Sequence, residues 1–383
     1  MSELEGRQRV VIERVRPQVD CGRYPAKAVI GEEMDVSADV FTDGHDRVNA
    51  RVLFRHESEK TAHAAPMKPV GQDRWRGSFK TGQSGMYLFT VEGWIDHFVT
   101  WQADLQKRVD AGQDVRTELK IGADLVREAI PNAYGADSST LKEIAAKLEN
   151  PDNMEMAIAQ ALGTGLRDLM SVYAPRHWAT TYDGELAVRV EPAMARFSSW
   201  YEIFPRSFCG GDGEHGSFKG CLTKLDEIAA MGFDIVYLPP IHPIGETNRK
   251  GKNNQREAQA GDPGSPWAIG SKDGGHKAIH PQLGTMDDFK AFVARARELG
   301  MEVALDLAFQ CSLDHPYVKE HPEWFKWRPD GSIQYAENPP KKYEDIVPFD
   351  FECDQWRQLW EELQRVVEFW IDKGVRIFRV DNP

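Results

Sequence analysis

Three residues near the end of the sequence have the types and spacing of a catalytic carboxylate with its supporting groups. Arg379, Asp381 and Asn382 occur in VRIFRVDNP, where an apolar run predicts a β-strand. Because side chains two positions apart on a strand point the same way, Arg379 and Asp381 are expected to lie together. A guanidinium beside a carboxylate favours the ionised form, which suits a nucleophile. The alternative is a buried Arg–Asp pair that only fixes the strand end.

Two basic clusters in this acidic chain have the composition of an anion-binding site. One is NRKGKNN, residues 248–254, and the other is ENPPKKY, residues 337–343. Lysine and arginine with asparagine and tyrosine donors are what a phosphate group requires. Pro339 and Pro340 stiffen the second cluster, which favours a shaped loop. The alternative for each is a solvated run of charges, and neither contains the GxxxxGK[ST] motif.

Aromatic and histidine side chains are frequent in the same regions. Trp267, which lies among glycines in PGSPWAIGS, is the best candidate for stacking on a sugar ring, whereas packing is the simpler role for the other aromatic residues. Those others are Tyr317, Trp324, Phe325 and Trp327. The histidines there are His242, His276, His280, His315 and His321. Their spacing matches no HExxH or other metal-ligand motif, so the sequence predicts no metal site and no cofactor.

The chain over residues 198–383 alternates strand and helix, and this pattern positions the candidate residues. WYEIF, DIVYL, EVALDLAF and VRIFRV predict four strands with helices between them, one of which begins with a capping box at Thr285 and Asp288. Such alternation builds a parallel sheet covered by helices. The connections 239–284 and 309–351 are unusually long, and in a TIM barrel both emerge at the C-terminal face, where active sites lie. We predict the first half of a (β/α)8 TIM barrel with long loop insertions.

In the first two hundred residues the apolar side chains recur with two different periods. Alternation of period two, with turn signals such as DGHDR and GQSGM, occurs up to residue 104 and again at 184–197. These two segments predict an antiparallel β-sandwich at the N-terminus. Helical spacing takes over between them, as in LKIGADLVREAI, and predicts a helical insertion over 105–183. An apolar face left over on these helices would serve a dimer contact.

Composition excludes several classes of protein. The 383 residues carry a formal net charge of -13, which argues against non-specific nucleic-acid binding. No apolar run approaches the roughly 20 residues of a membrane span, and MSELEGRQRVVIERV has no signal-peptide core. The five cysteines are scattered, which predicts a reducing cytoplasm with neither a disulfide framework nor a zinc site.

The second half resembles the α-amylase superfamily of retaining glycoside hydrolases and transglycosylases. YEIFPRSF is similar to its first barrel strand, VALDLAFQCS to its third-strand region, and VRIFRVDNP to its nucleophile motif. More narrowly, the whole chain resembles the bacterial α-1,4-glucan:maltose-1-phosphate maltosyltransferases. The motifs that carry this resemblance are NRKGKNN, PWAIGS, GGHKAIHPQLGT, HPEWF, AENPPKKY and FRVDNP.

The resemblance implies roles for individual residues. Asp381 would be the nucleophile that forms a β-maltosyl-enzyme, and Arg379 would keep it ionised. Four residues match positions that contact the maltosyl unit: Lys250, Asn254, Gln310 and Asn382. Three match positions that hold the donor phosphate: Asn338, Lys341 and Tyr343. Ser265 matches a variable position of the donor pocket, and Cys311 stands where most amylases have histidine, a departure that agrees with the maltosyltransferase subgroup.

The resemblance also implies a reaction. Maltosyl units would pass with retention from maltose 1-phosphate to the non-reducing end of an α-1,4-glucan, in a cytoplasmic homodimer. The acid/base residue of that family follows a later barrel strand, so we expect this chain to be the N-terminal portion of a longer enzyme and inactive alone. The alternatives are a hydrolase, trehalose-forming or branching enzyme of the same superfamily, or an inactive glucan-binding remnant.

Overall fold

The computed structural model describes residues 6–208 and 214–382, and Pro383 lies outside them. The chain divides into two compact units, Met1–Arg196 and Phe197–Pro383. This division falls within two residues of the predicted start of the second half at residue 198. Each unit has its own hydrophobic core, and the two are described separately below.

Ten strands of the first unit form two sheets. The strands are β1 Val11–Arg16, β2 Ala26–Val29, β3 Glu33–Phe41, β4 Val48–His56, β5 His63–Pro66, β6 Lys68–Gly71, β7 Arg74–Lys80, β8 Gly85–Ile95, β9 Thr180–Thr181 and β10 Leu186–Glu191. One sheet has the order β1-β3-β7-β6, and the other has the order β2-β10-β8-β4-β5 with β9 added beside β8. All pairs are antiparallel except β10 with β2.

The alternating residues of these strands form one shared core. Met34, Val36, Ala38 and Val40 of β3 are buried together with Ala50 and Val52 of β4 and Tyr87, Phe89 and Val91 of β8. Because period-two alternation puts one face of each sheet inward, the two sheets close on each other. The strand at residues 186–191 joins the second sheet between β2 and β8.

Five helices lie between β8 and β9. They are α1 His97–Asp110, α2 Arg116–Ala129, α3 Gly135–Glu149, α4 Met154–Leu162 and α5 Thr164–Tyr173. The predicted boundary at residue 105 is wrong, since α1 begins eight residues earlier. Asp96 caps α1 by accepting a hydrogen bond from the Val99 amide, and Phe98 and Trp101 are buried with Leu105 at helical spacing. The β-branched and aromatic residues of this first turn prolong the apparent strand pattern of β8, which hides the transition in the sequence.

The core sheet of the second unit has four parallel strands in chain order, β11-β12-β13-β18. They are β11 Trp200–Glu202, β12 Ile235–Leu238, β13 Glu302–Leu307 and β18 Ile377–Val380. The longer helices among them are α7 Phe218–Ala230, α8 Met286–Glu298 and α10 Trp356–Asp372, and α6 Pro205–Phe208 and α9 Pro316–Glu320 are short. The predicted capping box is confirmed, because Thr285 and Asp288 exchange side-chain-to-backbone hydrogen bonds at the start of α8.

The long connections after β12 and β13 are ordered loops with short strand pairs. β14 Gln310–Cys311 pairs with β17 Val347–Pro348, and β15 Ala336–Asn338 pairs with β16 Lys341–Tyr343. Both loops follow the carboxyl ends of their strands, as does Asp381 after β18. Loops that follow parallel strands meet at one edge of the sheet, and there the candidate residues are brought together.

Two further predictions from composition can be compared with the structure. Cys21, Cys311 and Cys353 are free thiols, whereas Cys221 is disulfide-bonded, so the expected absence of disulfides does not hold at Cys221. None of the helices in the described part of the chain is both long enough and apolar enough to span a bilayer.

Candidate active site

Arg379 connects two carboxylates at the carboxyl end of the parallel sheet. Its Nη1 lies 3.2 Å from Asp306 Oδ2 and in hydrogen-bond contact with Asp381 Oδ1. β13 and β18 are in register at Asp306 and Arg379, which places the two side chains side by side. The hydrogen bond to Asp381 raises the pKa of Arg379 above its ordinary value, so the guanidinium stays charged. The predicted proximity of Arg379 to Asp381 is confirmed.

Asp306 and Asp381 differ in their surroundings. The Asp306 side chain is fully buried and accepts a hydrogen bond from the Tyr237 hydroxyl, and its other oxygen has no hydrogen-bond partner among the described residues. Burial raises the pKa of Asp306, although Tyr237 and Arg379 oppose the shift. Asp381 is 18% exposed, and Asn382 donates to its Oδ2 over 3.3 Å. The accessible carboxylate is therefore Asp381, and the buried one holds Arg379 in place.

A cleft of about 390 Å³ opens at Asp381. Seven of the ten residues predicted for the site line it: Asn254, Ser265, Gln310, Asn338, Tyr343, Asp381 and Asn382. Trp267, the predicted stacking residue, also lines it, and its backbone carbonyl accepts a hydrogen bond from Gln310. Residues from the two long loops and from the end of β18 thus share one concave surface. A concave surface with convergent polar side chains around an aromatic ring is suited to a polar small molecule.

The β15–β16 hairpin supplies the predicted phosphate ligands. Asn338 and Lys341 are direct cross-strand partners, and Tyr343 follows two residues later on β16. Because alternate residues share a face, Lys341 points to the same side as Tyr343, and Lys342 points to the other. Asn338 and Tyr343 line the cleft, whereas the exposed Lys341 is placed at its side by this alternation alone. The phosphate-binding role remains a prediction.

Lys250 is placed differently from the other predicted ligands. It is almost fully buried, with a side chain 10% exposed, and its Nζ lies 2.8 Å from Glu344 Oε2. It does not line the cleft. The expected direct contact between Lys250 and a sugar is therefore not supported by this geometry. A buried ammonium requires a counter-charge, and Glu344 occupies that place.

Glu344 was not singled out in the sequence and connects the two basic clusters. Besides Lys250, its carboxylate lies 3.1 Å from Arg256, and its backbone carbonyl accepts from Asn248 over 3.1 Å. The hydrogen bond from Lys250 lowers the pKa of Glu344 to about 2. Glu344 lies between Tyr343 and Asp345, and both of these line the cleft. Its only signal in the sequence is a lone glutamate directly after the KKY triplet.

Asp345 was also missed, and it is the most buried carboxyl of the cleft. It is 2% exposed, and desolvation raises its pKa, opposed by a backbone hydrogen bond and by Lys250. A buried carboxyl facing a cleft is common in catalytic and ligand-binding sites. Nothing in the local sequence distinguishes Asp345 from a solvated aspartate, because its burial depends on the folding of the loop.

The loop histidines include a buried pair that the sequence spacing did not reveal. His276 and His315 have ligand atoms within 4.8 Å of Cys311 Sγ and of each other. His276 Nε2 lies 3.0 Å from the Ala308 carbonyl and its Nδ1 lies 3.0 Å from His315 Nε2, while His315 Nδ1 accepts from the Tyr317 amide. This pattern requires a proton on His315 Nε2, so that nitrogen is a donor and is unavailable to a metal.

The same pair is held neutral by its surroundings. Burial lowers the pKa of His276 to about 3 and that of His315 to about 2. Both imidazoles can therefore satisfy their hydrogen bonds without carrying charge in the interior. We interpret the pair as a structural support beneath the loop after β13, which carries Gln310 into the cleft.

Comparison with known families agrees with this geometry. A family model described as the α-amylase catalytic domain matches residues 202–360, and one described as α-1,4-glucan:maltose-1-phosphate maltosyltransferase, domain N/S, matches residues 8–192. Residues 202–360 thus belong to an α-amylase catalytic domain, whose fold is of the TIM-barrel type, and the chain belongs to the α-amylase superfamily. Within it, the chain belongs to the α-1,4-glucan:maltose-1-phosphate maltosyltransferase family.

Curated relatives match almost the whole chain. The maltosyltransferase of Chlorobaculum tepidum is 53% identical over 99% of this chain and 57% of its own length. That of Methylacidiphilum infernorum is 50% identical with the same coverage. The chain therefore spans a little more than half the length of these relatives. Among solved structures, an α-amylase from Lactobacillus plantarum is 34% identical over 48% of this chain and 38% of its own, with a TM-score of 0.39.

Proposed function

We propose that the protein containing this chain transfers maltosyl units with retention from maltose 1-phosphate to the non-reducing end of an α-1,4-glucan. One observation carries the proposal: the Arg379-paired carboxylate of Asp381 opens into the same cleft as Asn338 and Tyr343 of the lysine-rich hairpin. A nucleophile and a set of anion-binding donors in one cleft fit a substrate that carries a phosphate on its reacting carbon. The names of the curated relatives support the same reaction.

The proposed reaction has two displacements at one carbon. Asp381 attacks C1 of the maltosyl unit, the bond from C1 to the phosphate oxygen breaks, and inorganic phosphate leaves. The 4-hydroxyl of the glucan then attacks C1, the bond to Asp381 breaks, and the hydroxyl proton passes to a base. In retaining enzymes that base is a second carboxyl about 5–5.5 Å from the nucleophile. Two inversions restore the original configuration.

The residues predicted for substrate binding each have a proposed part in this reaction. Asn254, Gln310 and Asn382 bind the maltosyl hydroxyls, and Ser265 shapes the donor pocket beside Trp267. Asn338, Lys341 and Tyr343 bind the phosphate. We assign Lys250 a supporting role, because its ammonium is held by Glu344.

The organisation of the protein is part of the same proposal. Strands β11, β12, β13 and β18 are the first half of an eight-stranded barrel, preceded by a β-sandwich with a helical insertion. We further propose that the protein is a cytoplasmic homodimer whose two subunits contact each other through the helical insertion between β8 and β9. Large exposed apolar side chains on that segment support such a contact: Ile121, Tyr134, Met156 and Val172. Light scattering of the full-length protein at several concentrations tests the dimer.

The proposed reaction is tested by incubating the full-length protein with maltose 1-phosphate and glycogen and measuring inorganic phosphate. We expect phosphate release that depends on the glucan, together with glucan chains that grow by two glucose units. Hydrolysis of starch without phosphate release would instead assign the protein to a hydrolase of the same superfamily. Binding of glycogen with neither reaction would indicate a glucan-binding protein without activity.

A further inference from the structure

The two long loops of the second unit are joined at a second point, apart from Glu344. Asp314, in the loop after β13, accepts three hydrogen bonds from the loop after β12. Its Oδ2 lies 2.6 Å from the Glu246 amide nitrogen and 2.7 Å from that of Thr247, and its Oδ1 lies 2.7 Å from Thr247 Oγ1. These two donors come directly before the first basic cluster, residues 248–254. One carboxylate therefore holds the chain where that cluster begins.

The Asp314 carboxylate contacts this turn as an anion contacts consecutive amides. Partial burial raises the pKa of Asp314, but the hydrogen bonds from Thr247 and Glu246 outweigh that effect and keep the pKa below its ordinary value. No salt bridge of Asp314 occurs within residues 6–208 and 214–382, so its hydrogen bonds go to these donors. Hydrogen bonds to an ionised acceptor are stronger than those between neutral groups, and successive backbone amides form a natural anion site.

Asp314 is itself fixed by its own loop. Its amide donates to Ser312 Oγ over 3.1 Å, and that hydroxyl donates to the Gly270 carbonyl over 2.6 Å. Gly245 packs against both side chains, since a Cβ at Gly245 would lie 2.3 Å from Ser312 Cβ and 3.3 Å from Asp314 Oδ2. Only a residue without a Cβ allows so close an approach of the two loops. The Asp314 carboxylate is therefore oriented before any ligand binds.

A chain of contacts leads from Asp314 to the cleft. Asn248 follows Thr247 and adopts the left-handed conformation, with a φ of 57°. From this position its amide nitrogen donates to the Glu344 carbonyl over 3.1 Å, directly beside Tyr343, which lines the cleft. A non-glycine residue keeps such a conformation only where the surrounding structure fixes it. The three hydrogen bonds to Asp314 supply that constraint on the preceding turn.

We propose that Asp314 is a positioning residue for the donor, because it holds the turn that, through Asn248, keeps Tyr343 in place for the phosphate of the substrate. The identity of that substrate rests on the proposed function, whereas the connection between the loops rests on the contacts of Asp314. Asp314 does not line the cleft, so it acts through its neighbours and does not touch the substrate. A misplacement of about 1 Å at a reacting site can cost about a hundredfold in rate.

Kinetics of the full-length protein distinguish this role from a simple loss of folded protein. In a reaction with two displacements, kcat/KM for the donor and kcat/KM for the glucan report different half-reactions. We expect Asp314→Ala to lower kcat/KM for maltose 1-phosphate about tenfold or more, and kcat/KM for glycogen by less than about threefold. A substitution that only reduces the folded fraction lowers both constants by the same factor.

Three further variants complete the comparison. Asp314→Asn keeps an oxygen for the two amides and an NH2 group that can donate to Thr247 Oγ1, so it should retain most of the donor kcat/KM. Thr247→Val removes only the Oγ1 hydrogen bond and should lower the same constant by a smaller factor, which tests the role even where Asp314→Ala does not fold. Glu320→Ala on α9 is the control, because its exposed side chain forms no hydrogen bond or ion pair with the described part of the chain.

The results that contradict the positioning role differ from those that contradict the proposed function. An unchanged donor constant in Asp314→Ala, or equal factors for donor and glycogen, would overturn the role of Asp314. Absence of transfer by the wild-type protein would instead contradict the proposed function. Hydrogen exchange at residues 246–248 and 343–345 tests the connection without the reaction, since Asp314→Ala should make it faster and Glu320→Ala should not. Equal exchange in wild type and Asp314→Ala would overturn the connection itself.

Discussion

At the scale of single residues, Arg379 connects the proposed nucleophile to a buried carboxylate. It contacts the buried Asp306 on one side and the accessible Asp381 on the other. Burial raises the pKa of Asp306, and the Arg379 guanidinium opposes this shift. The arrangement keeps the guanidinium oriented, because Asp306 on β13 is buried and hydrogen-bonded to Tyr237, and β18 pairs in register with β13 at that residue.

The nucleophile can be identified by covalent trapping. A fluorinated maltosyl donor, which reacts slowly in the second displacement, should leave an adduct on Asp381 of the full-length protein, because a retaining reaction proceeds through a glycosyl-enzyme. Mass spectrometry of the digested protein locates the adduct. A label on another carboxylate, or a product of inverted configuration, would contradict the role of Asp381.

The lysines of the hairpin provide a matched pair of variants. Lys341→Ala should weaken the use of maltose 1-phosphate about ten- to a hundred-fold, because one hydrogen bond to a charged group contributes about 1.5–3 kcal/mol. Lys342→Ala is the control, since Lys342 points to the opposite face of β16. Measurement of kcat/KM for the donor in the full-length protein checks both. Equal effects of the two substitutions would assign Lys341 to the solvated surface.

Glu344 is predicted to hold the first basic loop in place. Glu344→Gln removes the counter-charge of the buried Lys250, so hydrogen exchange at residues 248–256 should become faster. Glu337→Gln on the same hairpin is the control, because no ion pair of Glu337 occurs among the described residues. Exchange measured by mass spectrometry at pH 7 compares the two variants, and unchanged protection in Glu344→Gln would contradict the role.

The same ion pair has a defined pH dependence. Interaction with Lys250 lowers the pKa of Glu344 from its ordinary value of 4.5 to about 2. A group whose pKa is lower in the folded state stabilises the fold above its unfolded pKa, and this contribution is lost as the pH falls. Protection of the loop in the wild-type protein should therefore decrease between about pH 4.5 and pH 2, and Glu344→Gln should lack this part of the change.

At the scale of elements, α8 depends on its capping box. Thr285→Ala removes the side-chain acceptor for the Asp288 amide and should lower the free energy of opening of the first turns of α8 by about 1 kcal/mol. Thr223→Ala on the exposed face of α7 is the control, since alanine is the better helix former at an interior position. Hydrogen exchange of the α8 amides measures the difference, and an equal result for both variants would contradict the importance of the cap.

At the scale of the whole molecule, the two units should separate on limited proteolysis. The chain divides between Arg196 and Phe197, and Phe197 is 80% exposed. We expect chymotrypsin to leave a stable first unit that ends between residues 192 and 199. The second unit should be degraded sooner, because β18 pairs with β13 on one edge only and an unpaired edge is less protected.

An assay of transferase activity complements the proteolysis experiment. The isolated chain of residues 1–383 should show no transfer above background, since it spans 57% of the length of its maltosyltransferase relatives. A protease-resistant and active chain would contradict both expectations. In that case the second carboxyl would have to be sought within these residues, and Asp345 would be the first to substitute.

Local sequence determined a large part of the secondary structure of this protein. The four parallel strands, the capping box of α8 and the sandwich strands follow from the spacing of apolar and turn residues, which acts within a few positions of the chain. The proximity of Arg379 to Asp381 follows in the same way from the period of a strand. The sequence does not reveal that α1 begins at His97, because the apolar pattern of β8 continues into the first turn of the helix.

Only the tertiary structure decided which distant groups meet. The contact of Arg379 with Asp306 spans 73 positions and that of Lys250 with Glu344 spans 94, so neither has a local signature. The burial that raises the pKa of Asp345 and keeps His276 neutral likewise arises only when the long loops fold over the sheet. Residue type and period are properties of the sequence, but desolvation and charge pairing between loops depend on the path of the folded chain.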